Sequence, residues 1–107
     1  MTYPELLQEI KGLTLEEMRS DSEESLELVI STTQESKLRA LLESFFGVAL
    51  KAAGKSPDEK SQKYAASHGG IQQNQTLYHA KKGESSFCAM IWPWGNKQSA
   101  TVKIFRL

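Results

Sequence analysis

Cysteine is almost absent from this chain. The single thiol, Cys88, excludes an internal disulfide and with it the stapled scaffolds of small secreted proteins. Apolar runs are short, and none approaches the roughly 20 residues that a membrane-spanning helix needs. No basic start leads into an apolar run, so no signal peptide is expected, and the expected location is cytoplasmic. Histidine is scarce as well. His68, His79 and Cys88 show no ligand spacing of the C-x₂-C or H-x₃-H kind, so neither a metal nor another cofactor is expected. Net charge is also missing, but the zero hides a split. Residues 1–54 carry five basic and ten acidic side chains, and residues 55–107 carry eight and three. Such asymmetry marks either an anionic partner for the basic half or compensation inside the fold. Repeats and long linkers are missing too, and 107 residues predict one domain.

What is present concentrates at the C-terminal end. Residues 75–107 hold more than half of the aromatic side chains and read as three antiparallel strands joined by two turns. Gly83 supplies the positive φ of a tight turn between Lys82 and Ser85. With Gly83 and Glu84 central, Ala80 pairs with Phe87, Tyr78 with Ala89 and Thr76 with Ile91. Gly95-Asn96, taken as the second turn, pairs Ile91 with Ala100, Ala89 with Val102 and Phe87 with Ile104. Both turns place Tyr78, Ala80, Phe87, Ala89, Ile91, Ala100, Val102 and Ile104 on one face. A one-residue slip would scatter that set. The opposite face collects Leu77, His79, Lys81, Cys88, Met90, Trp92, Thr101, Lys103 and Phe105, a mixture of apolar and polar groups.

Residues 1–70 read as mainly helical. Thr2 and Glu5 form a capping box with Pro4 in the first turn, and Gly12 ends that helix. Thr14 with Glu17 predicts a short second turn of helix that points Leu15 and Met18 inward. Residues 22–31 fit two periods: Leu26, Leu28 and Ile30 alternate as in a strand, while Leu26, Val29 and Ile30 fit a helix. The serines and glutamates before them favour a helix; a strand would give the sheet a fourth member. A long helix is expected over residues 33–53, with Gly54 as its stop and Gly47 inside it at a cost of about 1 kcal/mol. Ser56-Pro57-Asp58-Glu59 opens a polar helix that ends at Gly69-Gly70. The fold class is therefore α+β: N-terminal helices packed on a three- or four-stranded antiparallel meander.

Chemistry is sparse. His79 and Cys88 face each other across the first hairpin, the minimum of a nucleophilic cysteine site, but a regular strand interior offers no oxyanion hole and no carboxylate lies near in sequence. Lys81, Lys82 and Lys103 beside Trp92 suggest a single-strand nucleic-acid platform, yet no RNP-type sequence accompanies them. Leu77, Met90, Trp92, Trp94 and Phe105 suggest a protein interface, since tryptophan and methionine enrich interface cores. The competing arrangement covers that face with helices from the same chain. The expected function is a small non-catalytic interaction module, self-associating through its sheet as a homodimer or binding a larger protein. Single-stranded nucleic-acid binding is the alternative, and a cysteine-dependent enzyme ranks third.

Overall fold

The computed structural model describes all 107 residues. In chain order they form α1 (Tyr3–Lys11), β1 (Leu15–Asp21), β2 (Ser25–Ser31), α2 (Glu35–Phe46), α3 (Glu59–Ala65), β3 (Thr76–Lys82), β4 (Ser85–Pro93) and β5 (Ser99–Arg106). The five strands make one antiparallel sheet in the order β1-β2-β5-β4-β3. The fold is α+β, as the sequence predicts, but strands interleave with the helices and number five rather than three or four.

Residues 15–31 are the main departure. They form a hairpin, not two helical turns. The reason is tertiary. β2 pairs with β5 along its whole length, from Ser25 opposite Phe105 to Ser31 opposite Ser99. A helix there would leave one edge of β5 without backbone partners, and buried unpaired backbone groups are costly. The strand period also buries Leu26, Leu28 and Ile30 on one face and Val29 on the other. β1 then becomes an edge strand. It is charged and carries two irregularities, between Leu15 and Glu17 and between Met18 and Ser20, which blunt it against pairing with another sheet.

The first hairpin of the meander has the predicted register, with Ala80 opposite Phe87 and Thr76 opposite Ile91. The second is displaced by two residues: Ile91 faces Val102, Ala89 faces Ile104 and Phe87 faces Arg106. β4 runs on through Pro93, and the connection spans residues 94–98, where Lys97 takes a positive φ of 60°. Because the shift is even, each side chain keeps its predicted face. Tyr78, Phe87, Ala89, Ile91, Ala100, Val102 and Ile104 all join the main core, with Ala80 at its margin.

That core lies between the sheet and two helices. α1 contributes Tyr3, Leu6, Leu7 and Ile10, and α2 contributes Leu38, Leu42, Phe45 and Phe46. Each fully buried Leu or Ile stabilises by about 1.5–3 kcal/mol. The capping box of α1 is present: Glu5 N–H donates to Thr2 Oγ1 and Thr2 N–H donates to Glu5 Oε1. α2 is shorter than predicted. It ends at Phe46 because Gly47 turns the chain with φ 78°, so this glycine is the stop rather than an interior residue. The freed segment runs back to β3, where Lys51 and Leu77 exchange two backbone hydrogen bonds. α3 is capped by Asp58, not Ser56; the Asp58 carboxylate accepts from Ser61 N–H at 2.8 Å. No helix is long and apolar enough to cross a membrane.

Candidate interaction surface on the second sheet face

The opposite face of the sheet is partly covered, and by α3 rather than by the first helices. Ala65 and Ile71 close over Leu77, Cys88, Met90 and Phe105, with Tyr64 and Trp92 at the rim. Two aromatic stacks fasten this layer. The Tyr64 ring lies 4.2 Å from that of His79, nearly parallel, and the His68 ring lies 3.6 Å from that of Phe105. Gly69 sits so close to Trp92 that a Cβ there would meet the indole at 2.4 Å, and its φ of 101° also demands glycine. Lys103 donates from Nζ to the His68 carbonyl at 3.0 Å and stands 3.8 Å from the Trp92 ring.

The expected interface residues therefore divide. Leu77, Met90 and Phe105 are buried beneath this layer, not exposed, because a second element of the same chain packs there. Trp92 is half-buried against Gly69. Only Trp94 stands out, 38% exposed. Its indole N–H donates to Thr101 Oγ1 at 2.8 Å, and the Arg19 guanidinium lies 5.8 Å from its ring. Arg19 in turn pairs with Glu17 and, at 3.9 Å, with Glu27. Glu16 accepts from Ser99 Oγ at 2.6 Å. The uncovered part of this face, over β1, β2 and the start of β5, thus presents one tryptophan in a frame of both charges.

The lysines expected to hold nucleic acid do not gather. Lys82 lies 4.7 Å from the Phe45 ring on the side of α2, whereas Lys103 is on the other face and engaged with His68, Trp92 and Glu27. Lys81 is four residues along and two strands across from Lys103, roughly 16 Å away by strand geometry.

His79 and Cys88 are opposite each other, as the first hairpin predicts. Burial pushes the Cys88 thiol up to about 12, and its side chain is fully buried. Burial, with the Lys60 charge, holds His79 below its ordinary value, and its Nε2 is buried with no hydrogen-bond partner. A nucleophilic cysteine needs the reverse of both conditions.

The largest concavity lies elsewhere. A cleft of about 680 Å³ opens between α1, the β1–β2 turn and the end of β5. Most of its charges are paired: Arg106 with Glu24 at 3.4 Å and Lys11 with Asp21 at 3.2 Å, while the Tyr3 hydroxyl donates to the Glu24 carbonyl and Glu23 alone stands without an ion-pair partner. Sequence reasoning missed this cleft, because its walls come from both ends of the chain. It also missed Arg19 and Lys51. The Lys51 side chain is buried and donates from Nζ to the carbonyls of Gln72 at 2.8 Å, Gln73 at 2.6 Å and Gln75. No family model, curated protein or solved structure matches the chain.

Proposed function

We propose that this chain is a small non-catalytic interaction module that self-associates through the uncovered part of its second sheet face, with Trp94 as the anchor. One observation carries the reading: Trp94 is exposed yet held in place by Thr101 and Arg19. An aromatic side chain that is already ordered loses little entropy on binding, which is why tryptophan and arginine dominate interface hot spots. The frame around it favours a second copy as partner. In a two-fold contact the patch meets itself, so a patch of one sign would repel its copy. Here Glu16, Glu17 and Glu27 stand beside Arg19 and Lys103 and offset one another within the patch, so the patch as a whole is not of one sign.

Sedimentation equilibrium tests this directly. The wild type is expected to dimerise, and Trp94→Ala is expected to weaken the dimer at least tenfold without altering the far-ultraviolet circular dichroism. A wild type that remains monomeric at millimolar concentration would refute it.

A further inference from the structure

The layer formed by residues 57–71 is held differently from the rest of the molecule. The three buried side-chain polar atoms without a hydrogen-bond partner are Ser61 Oγ, His79 Nε2 and Trp92 Nε1, and all three belong to this layer or to the face beneath it. Each such group is costly to bury, because it gives up its hydrogen bond to water and gains none in the fold. The main core has no comparable defect. Both histidines of the protein also sit at this junction, His79 under Tyr64 and His68 over Phe105.

The surroundings of His79 are neutral or cationic, and the one carboxylate near His68 is already paired. His79 faces Tyr64 on α3, with Lys60 one turn away whose ammonium lies 5.9 Å from the Tyr64 ring. Across the hairpin it faces the Cys88 thiol, and Lys81 follows on the same face of β3. His68 faces Lys103 and Phe105 on β5. A small cleft beside it is lined by Ser20 and Ser25 and by one carboxylate, Glu27. Glu27 is already shared between Arg19 and Lys103. A proton added at His79 Nε2 therefore creates a buried charge with no anion to meet it, and one added to the partly buried His68 stands beside the Lys103 ammonium, where the single carboxylate is already shared.

We propose that residues 57–71 form a proton-operated lid: protonation of His68 and His79 releases α3 from the sheet and uncovers Leu77, Cys88, Met90 and Phe105. The hinge is the Lys51 anchor, which holds residues 72–75 while the lid moves. Local opening of a weakly satisfied unit ahead of global unfolding is a common property of folded domains. Burial, with Lys103 beside His68 and Lys60 beside His79, holds both histidines below their ordinary value, so the switch works in mild acid. The lid builds on the reading of this face as an interaction surface, since opening would extend the apolar area next to Trp94.

Cys88 is a built-in reporter, because it is the sole thiol and lies under the lid. Its reaction with 4,4′-dithiodipyridine, a disulfide that still captures thiols in mild acid, is measured at pH 7.5 and 5.5 relative to free glutathione. The normalised rate is expected to rise at least tenfold at pH 5.5. The rise is expected to vanish in His68→Phe/His79→Phe, which keeps both stacks and removes both protons. Hydrogen exchange on the wild type needs no variant and reads the same event: once rates are divided by the intrinsic exchange rate at each pH, amides of residues 59–70 are expected to lose protection at pH 5.5 while those of β4 and β5 keep theirs. A flat Cys88 rate, a rise that survives in the double variant, or β4 and β5 exchanging together with the lid would each overturn the proposal. None of these readouts depends on dimerisation, so a monomeric protein with a pH-dependent Cys88 would sink the self-association reading and leave the lid standing.

Discussion

Lys51 shows how far a single residue can depart from its sequence context. Lysine is seldom buried unless its charge is met. Here burial pushes the ammonium down from its ordinary value, while three backbone carbonyls, those of Gln72, Gln73 and Gln75, hold it in place. Those carbonyls belong to the loop that leads from the α3 layer into β3, so the side chain ties the loop to the sheet edge. Lys51→Met fills the same space and removes the donor. It is expected to cost about 2–3 kcal/mol in urea denaturation, since several acceptors lose a charged partner at once, and to make residues 70–75 a preferred site of limited proteolysis. A change below about 0.5 kcal/mol would show that water replaces the ammonium.

Among the elements, β5 matters most because it joins the two halves of the sheet. It pairs with β2 on one side and β4 on the other, and its inward residues Ala100, Val102 and Ile104 are fully buried. Ile104 lies between Leu26 and Ala89. Ile104→Ala is expected to cost roughly 2–5 kcal/mol in chemical denaturation, the range for truncating a buried aliphatic side chain. A near-zero cost would contradict the observed register. The same element explains why residues 22–31 misled the sequence reading. Leu26, Val29 and Ile30 suit a helix while Leu26, Leu28 and Ile30 suit a strand, and the partner that decides between them, β5, lies 68 to 80 residues away along the chain, from Ser31 opposite Ser99 to Ser25 opposite Phe105. Thr2 and Glu5 were legible because capping is local: the donor and acceptor are three residues apart.

For the molecule as a whole, the charge split resolves internally in part. Glu27 meets Lys103 at 3.8 Å and Glu24 meets Arg106 at 3.4 Å, acidic first half against basic second half across neighbouring strands. Exposed pairs of this kind each contribute little, about 0–1 kcal/mol. The response to pH rests on the histidines instead. Both are held below their ordinary value of 6.5 in the folded state. The unfolded chain therefore binds protons first as pH falls. Stability is expected to decline from about pH 6.5 downward until the folded state is protonated as well. Below that, Glu5 and Asp58, whose carboxylates are lowered by hydrogen bonds from Thr2 and from Ser61, add a second loss as they protonate. Urea midpoints at pH 7.5, 6.0 and 5.0 read the first step, and it is expected to disappear in His68→Phe/His79→Phe.

Sequence alone determined what short-range chemistry specifies: the capping box of α1, the turn at Gly83, and the face on which each residue of the meander lies. That last property survived a two-residue error in register, because the strand period is two and the alternation of Phe87, Ala89 and Ile91 is blind to even shifts. It also marked Leu77, Met90 and Phe105 as a coherent apolar set opposite the main core. Only the tertiary structure decided what covers them. α3 is short and polar, and its claim on the sheet rests on Tyr64, Ala65, His68 and Ile71 meeting residues 15 to 40 positions away. Pairings of that separation leave no periodic trace in the chain, so the identity of the lid, the burial of Lys51 and the exposure of Trp94 emerge only when the strands are assembled.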